Sequence, residues 1–475
     1  MGTISSAFNL ISGALNADQA ALSIVANNVA NANTTGYTEE TPNWQENDPV
    51  SINGVLYGTG VTETGATSVR DRVLTERLDQ QQQLASASTT RLAALNTVQA
   101  LFTPDSGSSS STAGDIGSDI TSFFDSFASL EANPTENALR QQVLSSGTTL
   151  AGDISNAADS LNSQRSALDQ EAAGVITQVN ALTQSIAQLN LQIQSTSPNA
   201  DAGVLEDQRQ QDLSQLSQLV GINQVTTENN GLTVVTTSGT TLVSEGLSMP
   251  VTTGMVNGVT DFFSGTTDIT AQLTTGGGSL GGYLTARDED IPTALMALDQ
   301  LAYGISTSVN AQNNAGTDLN GATGTAAAPL NIFNPPAPGV VAGSAVAMSV
   351  VMTDPNQIAA AGIGAGTGDN SNAVTMAALA NQAIVNAQTP TNFYSNFVTT
   401  LGSAVAEVQT ENTAQNASVS QLQNQNNALS AVNLNTEASS MQQLERSYQA
   451  ASQVFTILNT IMTSALNLGV ETAVS

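Results

Sequence analysis

The residues that could do chemistry are few, and their types narrow the possibilities at once. The 475-residue chain has neither cysteine nor histidine. No thiolate nucleophile, imidazole base, disulfide or ordinary zinc site can therefore be built. Carboxylates are what remain for general acid–base work, and Asp288-Glu289-Asp290 is a tight acidic run. That run sits at the head of a helical apolar count, where an acidic first turn is favoured by the helix dipole. Asp318-Leu319-Asn320-Gly321 has the look of part of a calcium loop. With Gly321 as its sixth position the first would be Gly316, and no Glu stands at the twelfth, so a turn is the better reading. Gly276 to Gly282 is glycine-rich, but no Lys follows to complete a phosphate cradle. P-loop, GxGxxG, GxSxG and HExxH patterns are absent. The expectation is a chain with no catalytic, cofactor or metal site, and not an enzyme.

Charge narrows the partners. Thirty-nine acidic residues face nine basic ones, for a net charge of −30, and all nine are Arg. Nucleic acid requires clustered cations, and an anionic membrane surface would repel this chain; neither is an expected partner. The charge itself favours solubility and self-avoidance. No run approaches the ~18 apolar residues of a membrane helix. The closest, Val340 to Met352, alternates at Val346, Met348, Val350 and Met352, which predicts a strand. No Lys or Arg precedes Arg70, and the early apolar residues form a stripe instead of a block, so a cleaved signal peptide is not expected.

That stripe is the most regular pattern in the chain. Steps of four and three from Ile4 reach Phe8, Ile11, Leu15, Asp18, Leu22, Val25 and Val29, and only Asp18 is not apolar. The spacing predicts a helix that buries one narrow seam against a partner helix, and helices of this length depend on such packing. A matching seam lies at the other end: Met441, Leu444, Tyr448, Ala451, Phe455, Leu458, Met462 and Ala465, with Gly469 as a stop. The two ends are expected to pair, with Asp18 either solvated or setting register.

Between them, residues 38–70 read as an extended connector and a helix starts near Asp71, with Val73, Leu78, Leu84, Leu92, Leu95 and Val98 as its apolar positions. Ser106 to Thr112 reads as a flexible loop. Asn133-Pro134-Thr135-Glu136 has the N-cap, N1 and N3 residues of a helix start. A heptad then runs from Ile154 to Ile193, ends at Ser197-Pro198-Asn199, and returns through Leu205, Leu213, Leu216 and Leu219. This predicts a long antiparallel helical hairpin. Asn229-Asn230-Gly231 marks a β-hairpin turn, and helical spacing resumes at Leu284, with Pro292 as a kink or a first turn. Further helices are expected over about 370–388 and after Pro390. The fold class is mainly α with inserted β-rich lobes (α+β). Four domains are expected: residues 1–40 with 430–475 as a terminal helical core, 41–221 with 284–315 and 370–429 as a helical rod, 222–283 as a small β-rich outer lobe, and 316–369 as an irregular outer lobe.

Ala26-Asn27-Asn28-Val29-Ala30-Asn31-Ala32-Asn33-Thr34-Thr35-Gly36-Tyr37 resembles the ANNxANxNTxGY motif of bacterial flagellar rod, hook and hook-associated proteins. Its family positions here are Asn27, Asn28, Ala30, Asn31, Asn33, Thr34, Gly36 and Tyr37. Leu205-Glu206-Asp207-Gln208-Arg209 and Leu216 to Gly221 are similar to the "LLDQRD…LSxLV" segment of hook–filament junction members. Gly281 to Asp288, Leu298 to Ala302, Val309-Asn310, Gly316 to Gly321, Leu330 to Phe333, Val432 to Ala438 and Tyr448 to Ala451 resemble further segments, in the same order. The usual Ser-Arg after the tyrosine is Thr38-Glu39 here, and an Asp-Glu pair near the C-terminus is Asn435-Thr436.

The resemblance implies a structural part of the flagellum: a junction layer whose paired terminal helices line an inner tube. It also implies extracellular assembly after unfolded export through the flagellar type III apparatus. Implied partners are further copies of the chain in a helical ring, the hook protein, a second junction protein (hook-associated protein 3) and an export chaperone. A hook or distal-rod subunit would usually lack the 154–193 coiled coil. A secreted hydrolase built on carboxylates is the alternative of a different class.

Overall fold

The computed structural model describes residues 2–34, 36–52, 54–103, 115–196 and 201–471. In chain order, α1 (Gly2–Asn31) is followed by β1 (Glu40–Glu46), β2 (Val50–Ile52), β3 (Val55–Tyr57) and β4 (Val61–Ser68). Helices α2 (Arg72–Ala100), α3 (Ile116–Ala132), α4 (Asn137–Thr196) and α5 (Val204–Leu219) come next. Strands β5 (Ile222–Thr226), β6 (Leu232–Thr236), β7 (Thr241–Ser244) and β8 (Leu247–Ser248) form one antiparallel sheet in that order. A second sheet holds β9 (Val251–Val256), β10 (Val259–Ser264) and β11 (Thr267–Asp268). Then come α6 (Thr270–Gly276), α7 (Gly278–Thr285), α8 (Ile291–Asn314), the short pair β12 (Gly316–Thr317) and β13 (Ala361–Gly362), α9 (Ser371–Ala378), α10 (Pro390–Ser430) and α11 (Leu434–Glu471). The fold is α+β with long helices and small antiparallel sheets.

The chain divides into two compact units. The first comprises Met1–Gln83, Gln178–Val251 and Asn416–Ser475; the second comprises Leu84–Thr177 and Thr252–Gln415. The β-rich stretch 222–283 thus holds two separate sheets, one largely in each unit.

The second unit carries the larger apolar core. Phe123 stacks edge-on against Phe124 and Phe127 and lies 5.3 Å from Phe333 between ring centroids. Ile154, Leu161 and Leu168 of α4 and Leu298, Ile305 and Val309 of α8 close around them, all buried. The heptad foreseen from Ile154 is the buried row of α4, with Leu182 and Arg165 half-buried.

Residues 316–369 have little regular structure, and asparagines at the end of α8 hold them. Asn310 accepts from the N–H groups of Ile332 and Phe333 and donates to the Phe333 carbonyl, all at 2.9 Å. Asn313 spans the Leu330 carbonyl and the Ala359 N–H. The Asp299 carboxylate accepts from the N–H groups of Gly343 and Ala345. These side chains replace the hydrogen bonds a sheet would supply. Arg140 is fully buried and paired to carbonyls alone, including Pro134 at 2.8 Å and Ile358. Burial lowers its pKa, opposed by Asp318.

Several expectations need correction. Val340 to Met352 is not a strand: it forms turns, with one bridge from Val350 to Phe333, because its backbone bonds go to its own turns, to the Asp299 carboxylate and to residues 332–334. Helix α4 starts at Asn137; Asn133 instead caps the C-terminus of α3 through its N–H to Leu130. Val73 and Leu84 are exposed, and the buried row of α2 runs Leu74, Leu78, Ala85, Leu92, Leu95, Val98. The helix expected over 370–388 ends in a tight turn at Asn381. Gly469 does not stop α11, which continues to Glu471. The loop 106–112 and the helix stop at 197–199 lie outside the described residues.

Other expectations hold. The Asn229-Asn230 turn joins β5 to β6 with both residues at positive φ, a conformation asparagine tolerates well. Ser185 meets Asp212 and Asn190 meets Arg209, so α4 and α5 run antiparallel. Pro292 occupies the first turn of α8 after one π-helical turn, Ala286–Asp290. The carboxylates there are structural: Asp288 pairs with Arg287, and Asp290 with Arg91. Asp318 accepts from the N–H groups of Asn320 and Ala322, closing a turn.

Candidate assembly interface

The first unit brings the two ends of the chain together. Phe8 of α1 lies against Phe455 of α11, with ring centroids 4.6 Å apart. At the opposite end of α1, Asn28 lies beside Glu437 of α11, close enough to pull its pKa down. The pair is therefore antiparallel. On α11 the foreseen row holds in part: Met441, Leu444, Ala451, Phe455, Leu458 and Met462 are half-buried, whereas Ala465 and Tyr448, the latter 38% exposed, face outward.

On α1 the foreseen row holds in part. Phe8, Ile11, Leu15 and Leu22 are half-buried and Val25 is buried, but Val29 is exposed, and the side chain of Ile4 lies outside the described residues. The most buried row is Ala17, Ala21, Val25 and Asn28. The physical reason is a second neighbour. Helix α1 also packs on β1 and β4, where a Cβ on Gly13 would come within 3.4 Å of the Val61 carbonyl. Small residues suit that approach. A strict seven-residue repeat also drifts round a 3.6-residue helix.

The motif is a joint. Asn28 is buried, accepts from the Tyr37 hydroxyl at 2.8 Å and the Glu40 N–H at 3.0 Å, and donates to the Glu40 carbonyl at 2.8 Å. It fixes where the chain goes after α1. Asn31 donates to the carbonyl and side chain of Asn27, and Thr34 donates to Asn31. Gly36 takes φ +82°, which a side chain would resist. Ala30 and Asn33 are exposed. Burial first, then Glu40 and Asp207, raise the Tyr37 pKa, keeping its hydroxyl a donor.

A second segment of the resemblance meets this joint. Asp207 of α5 accepts from the N–H and hydroxyl of Thr38, at 3.2 and 3.0 Å, and pairs with Arg70. Glu206 takes Arg70 and Arg72, each at 3.0 Å. A third arrives from α10 and α11: the Glu39 N–H donates to the Ser430 carbonyl, and Asn433 caps α11 by accepting from Asn435 and Thr436. So Thr38, where the family uses Ser, still supplies a hydroxyl, and Asn435 and Thr436 serve through their backbones. Glu437 is buried, its Oε2 has no hydrogen-bond partner among the described residues, and burial raises its pKa against the pull of Asn28.

Sequence reasoning missed this convergence, since it treated residues 27–37, 205–209 and 432–438 as separate matches. The signal was the rare arginines: Arg70 and Arg72 follow the connector and need carboxylates. It missed Asp79 as well. That carboxylate is buried in α2, held by Gln210 at 2.8 Å and Gln224 at 3.0 Å, and burial raises its pKa to about 6. Beside it, a polar cavity of about 500 Å³ is lined by Asn33, Tyr37, Gln82, Gln211 and Asn427.

Outside the paired row, α11 exposes Val454, Ile457 and Ile461, and α1 exposes Leu10. Over its 30 residues α1 has one charged side chain, Asp18. A nearly uncharged, apolar-striped helix pair on a chain of net charge −30 is suited to contact with other protein, not to chemistry. No group of His, Cys, Asp and Glu among the described residues could hold a metal, and no described helix is long and apolar enough to cross a membrane.

Known proteins agree with this reading. Residues 105–327 match the family described as "Flagellar hook-associated protein FlgK helical domain", and residues 8–38 match "Flagella basal body rod protein". Flagellar hook-associated protein 1 of Escherichia coli K12 is 25% identical, covering 98% of this chain and 100% of the relative. Its counterpart in Bacillus subtilis is 27% identical over 96% of each chain. The solved structure of the flagellar hook junction protein FlgK from Burkholderia pseudomallei shares the fold, with TM-score 0.63 and 19% identity, over 74% of this chain and 99% of that one. With a rod-protein match at its start, a hook-associated helical-domain match in its middle and relatives of one description along its length, the chain is similar throughout to flagellar hook-associated proteins.

Proposed function

We propose that this chain is a structural subunit of the bacterial flagellum that forms the junction layer between hook and filament. The observation that carries the reading is the α1–α11 pair with its exposed apolar stripe at Val454, Ile457 and Ile461. Copies that meet head to tail through two different patches, in a contact that does not close on itself, build a helical layer. In this reading, residues 1–40 with 430–475 form the inner tube. Residues 41–221, 284–315 and 370–429 form a rod outside it, and 222–283 and 316–369 are outer lobes. The partners are further copies of itself, the hook protein below and hook-associated protein 3 above. An export chaperone holds the C-terminal region before passage through the type III apparatus, with no signal peptide cleaved. The chain works by contact and not by turnover.

Deletion of the gene tests this. The expected result is cells that keep hooks while filament monomers escape into the medium. Loss of hooks would instead assign the chain to the hook or distal rod. Hydrolysis of peptidoglycan or peptides by the purified protein, abolished by replacing acidic residues, would overturn the structural reading.

A further inference from the structure

The charges of the terminal helix pair point to a specific contact between copies. Asp18 is the one charged residue of α1, and Arg446 is the one cation of α11. Asp18 is half-buried and Arg446 exposed. Neither has an opposite charge three or four residues away on its own helix: Ala14, Leu15, Ala21 and Leu22 surround the first, and Gln442, Gln443, Gln449 and Ala450 the second. Among the described residues, the chain's ion pairs use Arg70, Arg72, Arg91 and Arg287. Asp18 and Arg446 are thus left over from the internal pairing.

They also stand at one level. Interpolation along the antiparallel pair, from Phe8 beside Phe455 to Asn28 beside Glu437, puts Asp18 level with Arg446. They do not meet within the chain because Arg446 lies two residues beyond the seam position Leu444, roughly 200° round the helix and away from α1. One charge therefore faces the seam side and the other faces outward at the same height.

We propose that Arg446 of one copy pairs with Asp18 of the neighbouring copy, and that this ion pair sets the register between adjacent subunits. The proposal rests on the assembly reading above. It explains why a seam would keep an aspartate: a polar group in an apolar stripe penalises every register but the one that supplies its partner. On a chain of net charge −30, an exposed arginine is also the scarce element of an ionic contact between copies.

The absence of cysteine from the chain makes the test clean. D18C/R446C is expressed in place of the wild type, hook-bearing particles are isolated and oxidised, and non-reducing gels are run. The expected result is a ladder of covalent oligomers, while either single variant gives none. A double variant present in the particles but wholly monomeric would overturn the pairing and leave the assembly role standing. Charge exchange is the second arm: D18R and R446D should each reduce filament-bearing cells about tenfold or more, and D18R/R446D should restore them. A double exchange no better than the singles would refute the pair. Unimpaired filaments after gene deletion would instead remove the assembly reading itself.

Discussion

Asp79 offers a quantitative prediction because its carboxylate is buried with amide donors, Gln210 and Gln224, and no cation bonded to it. Burial is the largest influence on it, and hydrogen bonds from Gln210, Gln224 and Ser214 offset part of that. Its pKa stands near 6 against an ordinary 3.8, a difference worth about 3 kcal/mol. The sign follows from proton counting. Between pH 4 and 6 the folded chain holds a proton here that the unfolded chain has released, so stability falls as pH rises through that window. Above pH 6 the whole penalty is present. D79N removes the titration and keeps a side-chain oxygen for the glutamines. At pH 7.5 it should be more stable than the wild type by about 2 kcal/mol, allowing for weaker bonds to a neutral acceptor. Below pH 4 the advantage should vanish. Urea unfolding followed by the fluorescence of Trp44, the sole tryptophan and a residue of the same unit as Asp79, reads the difference directly. Other raised carboxylates, including Glu40 and Asp207, cancel in the comparison. A difference between the two proteins that is independent of pH from 4 to 7.5, or D79N weaker at pH 7.5, would refute the reasoning.

Two further outcomes follow from buried amide hubs. N310A strands the N–H groups of Ile332 and Phe333 and the Phe333 carbonyl, at about 3–5 kcal/mol in all; limited proteolysis should then cut within 325–352 before the helices, and an unchanged digest would count against the anchoring role. N28A strands the Tyr37 hydroxyl and both backbone groups of Glu40, so filaments should be lost, whereas Y37F, which removes one hydroxyl at about 1 kcal/mol, should leave them largely intact. Equal loss in both variants would mean that the tyrosine hydroxyl, and not Asn28, governs the joint.

What the sequence made legible was periodic. The seam of α11 and the heptad of α4 are patterns of apolar side chains, and burial follows them directly. The Asn229-Asn230-Gly231 turn and the motif around Gly36 were legible because few residues accept positive φ. Contacts between distant segments were not legible. Nothing in Asn310 or Asn313 announces which carbonyl it will reach, although asparagines in the last turns of a helix, where they are poor helix formers, hint at work beyond the helix. The same holds for Asp207, whose partner Thr38 lies 169 residues away. The strand expected over 340–352 failed because alternation records which side chains are apolar, and not whether a neighbouring backbone is available. The buried row of α1 shifted because β4 was an unforeseen second neighbour.

The inward placement of the arginines has a consequence for how such a chain behaves in solution. Arg70, Arg140, Arg209 and Arg287 are all buried or nearly so, and Asp79, Glu206, Asp299, Asp318 and Glu437 are buried as well, so few cations remain outside and the exterior keeps the strongly anionic balance of the whole chain. Each subunit is then a polyanion whose approach to its own kind is opposed at long range and favoured only on contact. The screening length shrinks from roughly 30 Å at 0.01 M salt to about 8 Å at physiological strength. Ionic strength should therefore act as a gate on the encounter of subunits: dilute buffer holds them apart, and counterions let the apolar stripes touch. A complex held mainly by many cross-subunit ion pairs would respond in the opposite sense.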